Sequence, residues 1–232
     1  VTARGGLRRY LAPPVDGSGR SGRTARCELC DAALDAGHGH AVDLDDRGLL
    51  CVCRACRLLL ARRGDRSGSG GTVRGRYRTV PDRYHYAPGL ALTAAGWEEL
   101  HIPVGCCFLL RNSRLDRLVA FFPSPAGATE MPLPDVTWQR ILGDGPDVVA
   151  PADDVEALLL RRRRTGVECA LVPVDACYRL VGELRLHWTG FGGGSRVHSE
   201  LDAFFASLRE RGGPPSTEPS RGPSTEKETD DR

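Results

Sequence analysis

Four cysteines carry the clearest chemistry in this sequence. Cys27 and Cys30 stand two residues apart, and 22 residues later Cys53 and Cys56 repeat the spacing. A C-x2-C pair puts two sulfurs on the same side of one tight turn, so two pairs can enclose a single ion. Four thiolates suit Zn2+ in a tetrahedron with bonds of about 2.3 Å. Such a tetrahedron is closed and therefore structural, whereas catalytic zinc keeps one position for water. An iron–sulfur cluster on the same thiolates would want tighter cysteine runs. Three neighbours are possible substitute ligands: Cys51, His38 and His40. On a strand Cys51 would share a face with Cys53, but C-x2-C gives the better chelate. For His38 and His40 the sharper reading is a replaced cysteine or a second metal. The preferred one is a pair of surface histidines, because four cysteines already complete a structural site.

The intervening segments must bring these residues together. His40–Leu44 and Leu49–Val52 read as strands joined by the turn signal Asp45-Asp46-Arg47-Gly48. RACRLLLARR then reads as a helix carrying Cys56, Leu59 and Leu60 on one face. Knuckle, β-hairpin and helix form a treble-clef-like zinc module over residues 26–63. The helix N-terminus, with Arg26, Arg54 and Arg57, would offset part of the thiolate charge.

Around this module the chain divides by composition. Residues 1–25, rich in Gly, Arg, Ser and Pro, read as a disordered arm, and 64–75 as a flexible linker. Residues 76–211 read as an α+β domain, with a mainly antiparallel sheet covered by amphipathic helices. Arg76–Val80 reads as a strand, and Val104–Leu110 with Arg117–Phe122 as a hairpin. Pro134–Leu142 and Asp154–Arg163 read as helices, the second with Asp153 as N-cap and Glu156 completing a capping box. Glu168–Val174 reads as a strand. Cys177, Leu180, Val181, Leu184 and Trp188 then fall at helical spacing after Asp175 as a cap. Val197, Leu201, Phe204, Phe205 and Leu208 repeat that spacing in a last helix, with Ser195 as its cap. Residues 212–232, with PSTE twice, read as a disordered tail.

Gross properties narrow the function classes. The net charge of +2 gives no general attraction to nucleic acid or membrane. No apolar run reaches the roughly 20 residues of a membrane span. The first residues lack the apolar core of a secretory signal, so nine cysteines read as metal ligands and reduced thiols in a cytoplasmic protein.

No catalytic set emerges. Gly190 to Ser195 lacks the lysine of a phosphate loop and follows a helix, so it reads as a turn. Cys177 and His187 on one helix would be about 15 Å apart along its axis. Cys106, Cys107, Cys169 and Cys177 read as small buried hydrophobes. The run Arg161–Arg164 reads as a solvated helix end. A divergent HNH-type metal-dependent nuclease would use His38, His40 and Asp43 on the hairpin. The chain has Arg57 where such enzymes carry a histidine, and it lacks their asparagine.

Three segments together carry a family resemblance: RCELC…HGHAVDLDDRGLLCVCRAC, FPSPAGATE and LVPVDACYRLVGELRLHWTG. They resemble an uncharacterised family of actinobacterial proteins whose genes tend to lie beside [NiFe]-hydrogenase genes. The resemblance covers roughly residues 25–210, leaving out the Gly-rich linker and the tail, and implies a cytoplasmic accessory role near hydrogenase assembly or function. It supplies no catalytic residues.

The sequence thus favours a non-enzymatic zinc-binding accessory protein acting through protein contacts. Its expected partner is a hydrogenase subunit or maturation factor, with nucleic acid and membrane disfavoured. The alternatives are the HNH-type nuclease and a redox or metal-handling protein that uses Cys51 and His40 as extra ligands.

Overall fold

The computed structural model describes residues 25–64, 75–86, 92–102, 104–134, 137, 141, 150–190 and 192–211. The arm apart from Ala25, the tail and almost all of the 64–75 linker lie outside these residues. So does the helix expected over 134–142, except for Pro134, Thr137 and Ile141.

Two antiparallel sheets organise the described chain. The hairpin of β1 (Gly39–Asp43) and β2 (Gly48–Val52) leads into helix α1 (Arg54–Gly64). Its turn places Arg47 at φ 55. Strand β3 (Tyr77–Thr79) pairs with β1, giving the order β2-β1-β3. The larger sheet has β4 (His85–Tyr86), β5 (Cys106–Asn112), β6 (Arg117–Ser124), β7 (Gly127–Pro132), β8 (Glu156–Arg163) and β9 (Gly166–Pro173). Its order is β4-β9-β8-β5-β6-β7. Helix α2 (Ala94–Glu99) covers one face, while α3 (Val174–Leu186) and α4 (Gly194–Arg211) cover the other. The expected α+β class, with an antiparallel sheet covered by helices, is what the chain forms.

Strand alternation sorts the core. Cys106, Phe108, Leu110, Val119, Phe121, Ala157, Leu159, Ala170 and Val172 face α3 and α4. Cys107, Leu109, Leu118, Ala120, Leu158, Leu160 and Leu171 face Trp97 of α2 and Ile141. The stripe Cys177, Leu180, Val181 and Leu184 is buried as expected, as are Val197, Leu201, Phe205 and Leu208. Trp188 and Phe204 are only partly buried.

The expected helix over Asp154–Arg163 is a strand. Residues 156–161 are all buried in β8, between β9 and β5, with helices over both faces. Two-sided burial makes the strand continuously apolar and hides the alternation that would have announced it. Asp153 and Glu156 therefore form no capping box. Asp154 instead turns the chain at φ 65, and Glu156, 1% exposed, accepts from Arg83 Nε at 2.7 Å and the Ala152 amide at 2.8 Å. The arginine run leaves the end of this strand rather than a helix. Arg161 is buried and pairs with Asp202 at 2.7 Å. Two expected caps also move. Pro173 precedes α3, which puts Asp175 in its first turn, and α4 begins at Gly194, one residue before Ser195.

The small sheet sits against the α3 side of the large one. Leu49 and Val80 join that core, with Val42 packed beside them. Ion pairs reinforce the contact: Arg78–Asp154 at 3.2 Å, Arg47–Glu130 at 2.7 Å, Arg114–Asp45 at 2.8 Å and His40–Asp175 at 2.7 Å.

Candidate metal centre

Cys27, Cys30, Cys53 and Cys56 converge, with all four sulfurs within 4.8 Å of one another. The first pair sits on a knuckle closed by Cys27 N–H to Ala32 O at 2.7 Å and Asp31 N–H to Cys27 O at 2.8 Å. Asp31 takes φ 62 to complete the reversal. The second pair follows β2: Cys53 precedes α1, and Cys56 lies in its first turn. The Cys53 amide donates to Cys27 Sγ at 3.3 Å, and the Cys56 amide to Cys53 Sγ at 3.4 Å. Cys30 and Cys53 sulfurs are 3.7 Å apart. A tetrahedron with bonds of about 2.3 Å has edges of roughly 3.8 Å, so this spacing fits a zinc-sized ion.

The electrostatics also call for a cation. Burial pushes the Cys27 thiol up, but the amides of Cys53, Leu29 and Cys30 outweigh it and bring the thiol down to about 6. Burial and the adjacent sulfurs of Cys30, Cys53 and Cys27 push Cys56 up to about 12. One sulfur ionises easily, and each further thiolate repels it. A bound dication removes that repulsion and lets all four ionise together. Leu60 packs beside this centre, whereas Leu59, expected on the same face, is 64% exposed.

His38, His40 and Cys51 form a second group, also with ligand atoms within 4.8 Å of one another. His40 and Cys51 are direct cross-strand partners in β1 and β2. Alternation places them on the same face as Val42 and Leu49, opposite Ala41 and Val52, which cluster with Cys27, Cys53 and Cys56. Strand β2 ends at Val52, so the alternation expected to join Cys51 to Cys53 stops short of Cys53. His40 is not a surface histidine. Its Nδ1 lies 2.7 Å from Asp175 Oδ2, and that carboxylate, with the nearby Cys51, raises His40 to about 9. The Asp35 carbonyl, 2.8 Å from His38 Nδ1, raises His38 in the same direction. His40 and His38 lower the Cys51 thiol in turn, against the effect of its burial.

The other residues weighed in the sequence play different parts. Asp43, considered for a nuclease set, lies on β1, where Arg76 Nε donates to both its carboxylate oxygens at 3.0 and 2.9 Å. Cys106, Cys107, Cys169 and Cys177 are buried, and burial raises all four thiols. Asp175 and Glu28 escaped the sequence reading as site residues. Asp175 comes from a distant helix, and Glu28 carries only a weak local signal, its place between Cys27 and Cys30.

Among the described residues no helix is long and apolar enough to cross a membrane. No curated protein and no solved structure matches this chain. The model of a family of unknown function, DUF5947, matches residues 26–212, a span that takes in both cysteine pairs and, among the described residues, both sheets and helices α1 to α4, and the chain belongs to that family.

Proposed function

We propose that this chain is a zinc-stabilised, non-enzymatic accessory protein of the cytoplasm that acts through protein contacts. The observation that carries the reading is the four-sulfur cluster, whose Cys30–Cys53 separation of 3.7 Å matches a tetrahedron edge. Four thiolates leave a tetrahedral zinc no position for substrate, so the ion holds architecture. Its architecture presents α1. Leu58 and Leu59 are 54% and 64% exposed there, next to Arg57 and near Arg54. Adjacent exposed apolar side chains beside interface-favoured arginines suit a protein-contact surface. The family resemblance of the sequence favours a [NiFe]-hydrogenase subunit or maturation factor as the partner.

The test is affinity capture of the tagged full chain from a host that carries hydrogenase genes. A hydrogenase subunit or maturation factor should co-purify with the wild type and be lost with the Leu58→Glu/Leu59→Glu variant. Equal recovery of that protein with both, or with neither, would remove the partner assignment.

A further inference from the structure

We infer that His38, His40 and Cys51 form a second metal site, distinct from the four-cysteine centre. It takes a zinc-class divalent ion through two imidazoles and one thiolate and leaves a fourth position open. The inference goes beyond the structural role of the four cysteines and does not depend on the partner.

The outer contacts of the histidines carry the argument. A histidine that binds metal through one ring nitrogen usually donates the other N–H to a carboxylate or a backbone carbonyl. Both histidines have that arrangement. His40 Nδ1 faces the Asp175 carboxylate at 2.7 Å, and His38 Nδ1 faces the Asp35 carbonyl at 2.8 Å. With Nδ1–H donating, each Nε2 can give its lone pair to a metal, which displaces the Nε2 proton as it binds. The two rings lie with centroids 5.1 Å apart, and Cys51 stands directly across the ladder from His40.

Cys51 is held as firmly as the rings. Its amide donates to Glu28 Oε2 at 2.7 Å, and its carbonyl accepts from the Glu28 amide at 3.0 Å. Glu28 lies between Cys27 and Cys30, so the knuckle of the first centre fixes the backbone of the second. Strand β2 is the edge of its sheet, and Glu28 supplies hydrogen bonds that a further strand would otherwise provide.

Charge and ligand type select the ion. One thiolate and the Asp175 carboxylate balance a dication when both imidazoles are neutral. The three ligand atoms comprise two nitrogens and one sulfur, which disfavours Ca2+ and Mg2+ and suits Zn2+ or Co2+. Three protein ligands on such an ion leave one position for water or an exogenous ligand atom. All three residues are half-buried, and His38 borders a surface cleft of about 440 Å³.

The test is metal stoichiometry of the full chain, stripped and then titrated with Zn2+ in equilibrium dialysis, with Co2+ loading as the second readout. The wild type should bind about two equivalents per chain, and Cys51→Ser and His38→Ala about one each. Retention of that one equivalent shows that the variant has folded. Co2+-loaded Cys51→Ser should keep the spectrum of the four-sulfur centre and lose only the contribution of the second site. Saturation of the wild type at about one equivalent would overturn the inference while leaving the four-cysteine reading intact. Two equivalents in both variants would overturn it too, as would loss of the four-sulfur spectrum in Cys51→Ser. If the four-cysteine reading is the one in error, Cys30→Ser will leave the stoichiometry unchanged.

Discussion

His40 Nδ1 lies 2.7 Å from Asp175 Oδ2. This contact joins the middle strand of the small sheet to the first turn of the helix that covers the large one. Asp175 serves three partners at once: it orients the His40 ring, its Oδ1 accepts from its own helix at Ala176 N–H, 2.9 Å away, and its charge lies at the positive end of α3. Geometry in the hairpin that carries His40 and Cys51 is thereby tied to the larger core.

Asp175→Ala should destabilise the chain by about 1–3 kcal/mol, the range for removing one partner of a charged, partly buried hydrogen bond. Asp175→Asn should cost less, because the amide oxygen still accepts from His40. Urea denaturation of the three proteins checks the order. Equal stability would show that His40 is oriented by the strand alone.

The four-cysteine centre should behave as a folding ligand. A strong chelator should abolish the ordered signal of residues 27–56, followed by amide exchange, while the six-stranded sheet stays protected. Cys27→Ser and Cys56→Ser should have the same effect without chelator. Protection of β1 and β2 that survives complete metal removal would contradict this prediction.

Acid should weaken one particular contact. Burial raises the Asp43 carboxyl, but the Arg76 guanidinium and the amides of Asp45 and Asp46 outweigh it and hold it below its ordinary 3.8. A carboxyl depressed on folding stabilises the native state above its unfolded pKa, and the contribution disappears as pH falls through the lower native value. Arg76→Ala should therefore melt below the wild type at neutral pH, and the two curves should converge as pH drops below about 3.8. A gap in melting temperature that persists undiminished into that acid range would show that Arg76 acts by packing instead of charge.

Phe205→Ala should be among the most damaging single changes in the large core, at about 3–5 kcal/mol for a fully buried aromatic. Phe205 is 0% exposed, and the Arg161 guanidinium lies 5.5 Å from the centre of its ring. Phe204→Ala should cost clearly less, since that ring is only partly buried. Thermal melts of the two variants separate these cases, and a reversed order would mean that the helix is rotated.

The features legible from sequence were those fixed by neighbours along the chain. Two C-x2-C pairs converge because each needs only a short turn, and the helical stripes of α3 and α4 were readable because their outer faces meet water. The hairpin of β5 and β6 was marked by the polar turn between two apolar runs. Strand β8 was not legible, because a segment buried on both faces loses the polar alternation that separates strand from helix. Asp175 looked like an ordinary helix cap, and only the packing of α3 against the small sheet brings its carboxylate to His40. The pairing of His40 with Cys51 needed the strand register. A shift of one residue would turn either side chain to the opposite face, and that register is set by which face of the hairpin the larger core covers. The sequence by itself therefore determined the pairing of the four cysteines, whereas tertiary structure decided that His38, His40 and Cys51 come together in a second cluster.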